Sequence, residues 1–160
     1  MKPDQAGEIR IMAKLIGIAI RQKKRAVMQE LVEAAVSLEK GVADDFRGKP
    51  SKRQVTVMSQ RAWRDANAEL NRDLPWTTRR ANLLVDDLEL ENTVGDIITI
   101  GDVKLLITQE TDPCERMQEA AEGLFDALAV RWRGGVCCRV ISEGTLQLGE
   151  SVVLGKGESV

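Results

Sequence analysis

Residues 95–107 read Gly-Asp-Ile-Ile-Thr-Ile-Gly-Asp-Val-Lys-Leu-Leu-Ile, two short apolar runs separated by Gly101-Asp102. Gly-Asp is a turn pair that joins antiparallel strands, so this stretch predicts a hairpin of residues 97–100 with residues 103–107. Its first half is echoed at residues 149–155, where a glycine, an acid, a four-residue apolar-rich run and a glycine recur in the same order. This repeated pattern is too short for a solenoid repeat. It predicts that the same local structure, a short strand with a glycine turn at its end, occurs twice in the fold.

Other short apolar runs predict further strands. They lie at residues 12–20, 54–58, 82–85, 136–142 and 150–154. The stretch 30–38 permits either a helix or a strand, because its composition suits a helix while its shortness and the following Gly41 suit a strand.

Two stretches with apolar residues at helical spacing predict helices. The first follows Ser59, a good N-cap, and is expected to end at Pro75. The apolar face of this helix carries Trp63, Ala66, Leu70 and Leu74. The second helix covers about residues 113–129, and a glycine at position 123 could divide it into two short pieces.

The pattern as a whole predicts one mostly β domain. Many short strands with glycine corners indicate a barrel-like fold or a strongly bent mixed sheet, with two peripheral helices packed outside it. A chain of 160 residues and 17.7 kDa suits a single domain over residues 1–160. We expect its core at about residues 12–154, with short flexible termini.

The composition argues against several kinds of function. The sequence has no histidine, which rules out Ser-His-Asp and Cys-His catalysis and histidine-ligated zinc. It has no tyrosine and only five aromatic residues, fewer than base-stacking proteins usually carry, so no nucleic-acid partner is expected. No apolar run reaches the length of a membrane helix, and the N-terminus lacks a signal-peptide apolar region. We therefore expect a cytoplasmic protein without a membrane partner.

Charge is unevenly distributed along the chain. The net charge is −2, yet residues 46–80 carry nine Lys or Arg against three Asp or Glu. Residues 83–130 carry two basic residues against twelve acidic ones. Such segregation either builds a basic cleft for an anionic ligand or simply covers a solvated surface.

The three cysteines, at positions 114, 137 and 138, do not form a disulfide framework pattern. Cys137 and Cys138 lie in a strand-like run, where free cysteine behaves as a small buried hydrophobe. Cys114 follows Asp112-Pro113 and precedes Glu115, which predicts Asp112 as a helix N-cap and Cys114 in the first helical turn. That position favours a thiolate, whereas the neighbouring acids oppose it, so a reactive and a structural role both stay open.

Two arginine motifs precede predicted strands. Arg79-Arg80-Ala81-Asn82 precedes one strand, and Arg131-Trp132-Arg133-Gly134-Gly135 precedes another. The arginine side chain suits phosphate and carboxylate, and Gly-Gly lets a backbone approach a ligand closely. The alternative is exposed charge at the ends of strands.

The order of these motifs resembles the MOSC domain, which is found at the C-terminus of molybdenum-cofactor sulfurases and in stand-alone bacterial proteins. The resemblance covers about residues 12–154. It rests on Arg53-Gln54-Val55, Arg80-x-Asn82-Leu83, Gly95-Asp96, Pro113-Cys114, Arg133-Gly134-Gly135, and Gly144 with Gly149-Glu150.

The resemblance implies a barrel-like fold with one functional cysteine. Cys114 matches the family cysteine, the implied catalytic residue and molybdenum ligand, which carries sulfur as a persulfide or binds the metal. Arg80 and Asn82 match positions near the pterin phosphate, and Arg53 and Arg133 match other basic positions. The implied cofactor is the molybdenum cofactor (molybdopterin); zinc, haem and flavin are not expected. The implied partners are molybdenum-cofactor enzymes or a pyridoxal-phosphate cysteine desulfurase that donates sulfur.

Several functions remain open at this point. We favour a module that binds the molybdenum cofactor or carries sulfur over an enzyme. The alternative is the molybdenum-dependent component of a reductase that acts on N-hydroxylated compounds with separate electron-donor proteins. One departure bears on both: residues 43–46 read Ala-Asp-Asp-Phe where the family often has Gly-Asp-x-His.

Overall fold

The computed structural model describes residues 11–112 and 114–157. The short flexible termini predicted for the chain fall mainly on residues 1–10 and 158–160, which lie outside the described residues. The described residues form eleven strands: Ile11–Ile20 (β1), Gln29–Leu31 (β2), Glu33–Ser37 (β3), Gly41–Val42 (β4), Val55–Ser59 (β5), Leu83–Val85 (β6), Ile97–Ile100 (β7), Val103–Glu110 (β8), Val136–Ser142 (β9), Gly144–Gln147 (β10) and Ser151–Gly155 (β11). They also form three α-helices: Gln60–Glu69 (α1), Glu115–Ala120 (α2) and Leu124–Ala129 (α3).

Seven of these strands close into a mixed β-barrel. Hydrogen bonding runs in the order β11-β7-β8-β9-β5-β6-β1, and β11 pairs back with β1 to close the ring. Within the barrel only the β5–β6 pair is parallel. Strand β2 adds to β1 outside the ring, and β10, β3 and β4 form a separate small sheet. The predicted barrel-like fold is confirmed.

The sequence located most of the strands correctly. The predicted hairpin is β7 and β8, with Ile100 opposite Val103 and Gly101 at φ +61° in the turn. The ambiguous stretch 30–38 is extended and forms most of β2 and β3. In β3 the buried positions alternate with exposed ones, which is the period of a half-buried strand rather than of a helix.

The first predicted helix begins where expected but ends early. The Ser59 hydroxyl oxygen accepts a hydrogen bond from the Ala62 N–H at 3.4 Å, so the predicted N-cap is confirmed. The helix ends at Glu69, well before Pro75, because Asn71 adopts a left-handed conformation with φ +55°. The Asn67 side-chain oxygen then accepts a hydrogen bond from the Leu74 N–H at 2.9 Å, which holds the chain after the helix against the last turn.

The second predicted helix is two helices, α2 and α3. Ala121 is extended and Gly123 is left-handed at φ +89°, which separates the two. The prediction of Asp112 as the N-cap is wrong: Cys114 is itself the N-cap, and α2 begins at Glu115. Cys114 has extended backbone angles and therefore lies before the helix rather than inside its first turn.

Two hydrophobic clusters stabilise this arrangement. One fills the barrel with inward-facing aliphatic side chains of every barrel strand. The other lies between the helices and the outer wall of the barrel, where Met58 of β5 and Leu84 of β6 pack beside Trp63, Met117 and Leu128. The helices therefore cover one side of the barrel and leave its neighbouring outer face to loops. Among the helices of the described residues, none is long and apolar enough to cross a membrane.

Candidate functional site

A cleft of about 190 Å³ lies against the outer wall of the barrel, beside α2. It is lined by eight basic side chains: Arg21, Lys24, Arg25, Arg47, Arg53, Arg79, Arg80 and Arg116. Its acidic residue is Asp45, and its remaining lining consists of Thr56, Asn82, Thr111, Cys114 and Met117. The segregated charge of the sequence thus builds a basic cleft, and an arrangement of this kind attracts anions.

The cleft is on the outside of the barrel because of strand alternation. Val55 and Val57 of β5 belong to the barrel core, so Thr56 between them points outward. On β9 the same alternation directs Cys137 outward, where its sulfur lies 3.2 Å from the Thr111 hydroxyl. Thr56 lies on the floor of the site, Cys137 lies behind Thr111, and the loops after β1, β4 and β8 form the sides of the site.

Arg79 is the deepest cation of the cleft. It is the last residue of a 3-10 helix, Trp76–Arg79, and is only 7% exposed. Its Nη2 donates a hydrogen bond to the Thr111 carbonyl at 3.3 Å, while its Nε is buried without a partner among the described residues. Burial lowers the pKa of Arg79, and the nearby Cys114 and Cys137 oppose that shift. Because arginine stays protonated in proteins, this is a buried cation with an unused donor.

The absence of side chains at Gly134 and Gly135 leaves room for the buried Arg79 guanidinium and the adjoining barrel wall. A Cβ on Gly134 would lie 2.6 Å from the Thr111 carbonyl oxygen and 3.3 Å from Arg79 Nη2. Gly135 has φ +94°, and a Cβ there would lie 2.2 Å from the Val57 carbonyl oxygen. The sequence analysis expected the backbone of these two glycines to approach a ligand closely. In the structure it approaches the Arg79 guanidinium and the barrel wall instead.

Cys114 brings a thiol to this cleft. It is a free cysteine, exposed to solvent, and its carbonyl oxygen accepts a hydrogen bond from the Met117 N–H at 2.9 Å. Cys137 and Cys138 are buried, as the sequence predicted. Burial raises the pKa of the Cys138 thiol well above its usual value, so this cysteine stays protonated. Of the three thiols, only that of Cys114 is accessible to a reagent or a soft metal in solution.

Arg80 and Arg53, two of the basic residues that the resemblance singled out, both line the cleft. Arg80 is left-handed at φ +67°, and its guanidinium donates a hydrogen bond to the Ala26 carbonyl oxygen. Burial lowers the pKa of Arg80, and the neighbouring cations Arg21 and Arg116 lower it further. Arg53 is exposed at the end of the loop that precedes β5.

Asn82 also lines the cleft, but its amide is engaged in the fold. Its Oδ1 accepts a hydrogen bond from the Thr56 N–H at 3.0 Å, and its Nδ2 donates to the Ala19 carbonyl at 3.1 Å. The side chain is 4% exposed and ties β5 and β1 to the start of β6. The sequence analysis identified Asn82 as a site residue but did not predict that its side chain connects these strands by hydrogen bonds.

Arg133 lies outside the cleft. Its guanidinium forms an ion pair with Glu69 at 2.8 Å and donates to the Ala127 carbonyl at 3.1 Å. Both contacts hold the end of α3 to α1. The structure therefore brings Cys114, Arg53, Arg80 and Asn82 together and leaves Arg133 on the helical side of the barrel.

The altered loop at residues 43–46 forms one side of the cleft. Ala43 has φ +49° at the position where the family often has glycine. The Asp45 carboxylate accepts hydrogen bonds from the Arg21 and Arg47 backbone N–H groups, both at 3.0 Å. Phe46 occupies the position of the family histidine, and the Arg21 guanidinium lies over its ring at 5.9 Å. The loop thus carries an aromatic ring at the position where the family often has a histidine.

Sequence reasoning missed five of the basic residues of the cleft as site residues: Arg21, Lys24, Arg25, Arg47 and Arg116. Arg21 follows β1 directly, Arg47 follows the altered loop, and Arg116 lies two residues after Cys114. Arg47 and Arg116 stand beside motifs that the sequence analysis singled out, and Arg21 follows a predicted strand. Proximity to those motifs was the available signal.

Comparison with known proteins agrees with this architecture. The family model of the MOSC domain matches residues 41–153, more than half of the chain. The sequence matches no curated protein.

Solved structures share the fold at low sequence identity. The YUAD protein from Bacillus subtilis has a TM-score of 0.78 at 19% identity, over 94% of this chain and all of that one. YiiM from Geobacillus stearothermophilus has a TM-score of 0.65 at 17% identity, over 90% of this chain and 75% of that one. YiiM from Escherichia coli has a TM-score of 0.68 at 15% identity, over 92% and 72%. Since the family model spans most of the barrel and the site, the chain belongs to the MOSC domain family, which is linked in general to molybdenum-cofactor binding and sulfur-related functions.

Proposed function

We propose that the protein binds the molybdenum cofactor in the basic cleft, with Cys114 as the thiolate that contacts the metal or carries sulfur for it. One observation carries this proposal. An exposed thiol shares a cleft with Arg79, a buried cation whose Nε lacks a partner among the described residues. A buried polar group without a partner costs folding free energy unless a ligand satisfies it.

The residues of the cleft suit this cofactor chemically. The cofactor combines an anionic phosphate with a metal held by sulfur, and the cleft combines arginines with a thiol. A volume of about 190 Å³ is below the range that encloses a whole ligand of drug size. The cleft therefore fits one end of the cofactor, with the exposed cations around its mouth available to the remainder.

Each residue has a separate part in this proposal. When bound, the cofactor would supply redox or sulfur chemistry at its metal. Arg53 and Arg80 would hold anionic groups of the cofactor, and Arg79 would compensate negative charge near Cys114. Asn82 would keep the floor of the cleft in place through its contacts with Thr56 and Ala19.

The test is metal and pterin content after expression in a host that makes the cofactor. We expect near-stoichiometric molybdenum and pterin in the wild-type protein. Cys114→Ala should lose molybdenum or carried sulfur, and Arg53→Gln should lower the content of both metal and pterin. Arg61→Gln is the matched control, because Arg61 is an exposed arginine that pairs with Asp87 away from the cleft.

Absence of metal, pterin and carried sulfur from the wild-type protein would contradict the proposal. Equal loss of the cofactor in Arg61→Gln and Arg53→Gln would also contradict it, because the effect would then not depend on the cleft. The reductase alternative and the expected partners stay predictions. Turnover of an N-hydroxylated compound with added electron-donor proteins separates a reductase component from a carrier.

A further inference from the structure

We infer that the cleft also binds thiosulfate, or a small anion of the same kind that carries sulfane sulfur, so that Cys114 is loaded with sulfur directly. This inference rests on the sulfur-carrying role proposed for Cys114. It goes beyond that role because it names a small-molecule donor, whereas the family resemblance implied a protein donor. The argument depends on the cations of the cleft, its size and the position of the thiol.

The cations of the cleft have unused hydrogen-bond donors. Arg79 is 7% exposed, and its Nε has no partner among residues 11–112 and 114–157. The buried Nε of Arg21, in the same cleft, also lacks a partner within those residues. Each of these arginines presents N–H groups in a planar fork, which suits the oxygens of a tetrahedral oxyanion.

The charge of the cleft is not neutralised internally. In the described part of the chain, no cleft cation forms an ion pair with a carboxylate. Asp45 directs its carboxylate to two backbone N–H groups rather than to a guanidinium. The cleft therefore retains a large positive charge, which is needed if a thiolate and a dianion are to come together.

Size and accessibility favour a small donor. A volume of about 190 Å³ suits a tetrahedral anion better than it suits an extended ligand. Cys114 is exposed and lines the same cleft as Arg79. A second cavity of about 300 Å³ has cations and carboxylates together, including Arg61 and Asp87 in an ion pair, and has no such surplus of charge.

The transfer step balances without any other reagent. The thiol of Cys114 first releases its proton to solvent. The thiolate lone pair then forms a bond to the sulfane sulfur of thiosulfate. The S–S bond of thiosulfate breaks, and its electron pair stays on the sulfur that becomes sulfite. Sulfite leaves, and Cys114 becomes a persulfide anion. The total charge is −3 on both sides of this step, and Arg79 would stabilise the charge that collects on the departing sulfite.

The test uses the reduced full chain, incubated with thiosulfate and then measured by intact mass and by sulfite release. We expect a single added sulfur on Cys114, one sulfite released per sulfur added, and neither product with Cys114→Ala. Arg79→Met, which removes the cation and roughly keeps the volume, should slow the reaction about a hundredfold. Arg61→Gln should react at the wild-type rate.

A binding measurement supplements the rate. Sulfate, an unreactive oxyanion, should raise the melting temperature of the wild-type protein and of Arg61→Gln but not of Arg79→Met. If Arg79→Met does not fold, Arg79→Lys takes its place, because lysine keeps the charge without the planar fork. Arg79→Lys should then bind sulfate more weakly than the wild type.

Failure of this inference can be told apart from failure of the proposed function. If the wild-type protein takes up molybdenum and pterin, but its cofactor-free form gives no sulfur adduct with thiosulfate, the inference alone is overturned. An adduct that forms at the same rate in Arg79→Met also overturns it, because the arginine would then have no part in the reaction. Protein without metal and pterin that still forms the adduct, in a way that depends on Arg79, supports the inference and contradicts cofactor binding.

Discussion

Arg79 donates a hydrogen bond from Nη2 to the carbonyl oxygen of Thr111 at 3.3 Å. This contact joins the 3-10 helix before β6 to the residue that follows β8, three positions before Cys114. The same stretch of chain thus orients the buried cation and leads to the exposed thiol. The position of the Arg79 guanidinium depends on Gly134, whose missing side chain leaves room for it.

We predict that Arg79→Met does not destabilise the ligand-free protein. A buried guanidinium without a carboxylate partner costs desolvation free energy, and a well-packed apolar side chain avoids that cost. Within the described residues, the Arg79 Nε has no partner, so the hydrogen bond from Nη2 to the Thr111 carbonyl offsets only part of that cost in the absence of an anion. Urea unfolding in a buffer of weakly binding anions should give a free energy equal to the wild-type value or up to about 2 kcal/mol higher.

A loss of more than about 2 kcal/mol in this variant would show that Arg79 stabilises the fold itself. Arg61→Gln is again the control, since the Arg61–Asp87 pair is exposed and should contribute less than about 1 kcal/mol.

We predict that Asn82→Ala acts mainly by lowering the free energy of unfolding rather than by removing a contact to the cofactor. The substitution removes the acceptor of the Thr56 N–H and the donor to the Ala19 carbonyl, and both contacts lie in or beside the buried wall of the barrel. Leaving such groups without partners should lower the free energy of unfolding by about 2–4 kcal/mol, measured by urea denaturation. Unchanged stability together with lost pterin would instead identify Asn82 as a direct ligand of the cofactor.

We predict that Ala43→Gly stabilises the protein. Ala43 has φ +49°, a conformation that costs alanine more than glycine, and relief of this strain exceeds the entropic cost of the added glycine. The expected net gain is about 0.5–1 kcal/mol, read from thermal or urea unfolding. Ala35→Gly, in the exposed register of β3, is the matched control and should destabilise by a similar amount. Equal destabilisation by both substitutions would refute the strain at Ala43.

We predict that the Glu69–Arg133 pair contributes to stability at neutral pH and not in acid. The hydrogen bond from Arg133 lowers the pKa of Glu69 below its usual value. A carboxyl group with a lowered folded-state pKa stabilises the fold above the pKa of the unfolded chain, and this contribution is lost as the pH falls through the folded-state pKa. Glu69→Gln should therefore be less stable than wild type at neutral pH, and the difference should close on acidification.

The control for this pH dependence is Glu119→Gln, an exposed glutamate on α2. A stability difference for Glu69→Gln that stays constant from neutral pH to acid would exclude the ion pair as its cause. Arg133→Gln should also leave molybdenum and pterin content unchanged, because Arg133 lies on the helical side of the barrel.

Local sequence was sufficient for much of the secondary structure. The Gly101-Asp102 turn, the Ser59 cap and the alternation of β5 depend on neighbouring residues, and all three occur as predicted or follow from the strand period. Two predicted helix boundaries were wrong because they do not depend on the apolar pattern of the neighbouring residues. The end of α1 depends on Asn67 and Asn71, and the start of α2 depends on the path of the chain after β8, neither of which apolar periodicity reveals.

The sequence by itself determined the β-rich class, the surplus of arginine and the thiol that accompanies it, because these follow from composition, short-range pattern and motif order. Only the tertiary structure decided which arginines face Cys114. Arg79 and Arg133 stand in similar motifs, yet barrel closure buries Arg79 beside Thr111, while helix packing pairs Arg133 with Glu69. Burial and pairing are set by residues far apart in the chain, so charge that looks equivalent in sequence becomes a buried cation of the cleft at one position and one half of an ion pair with Glu69 at the other.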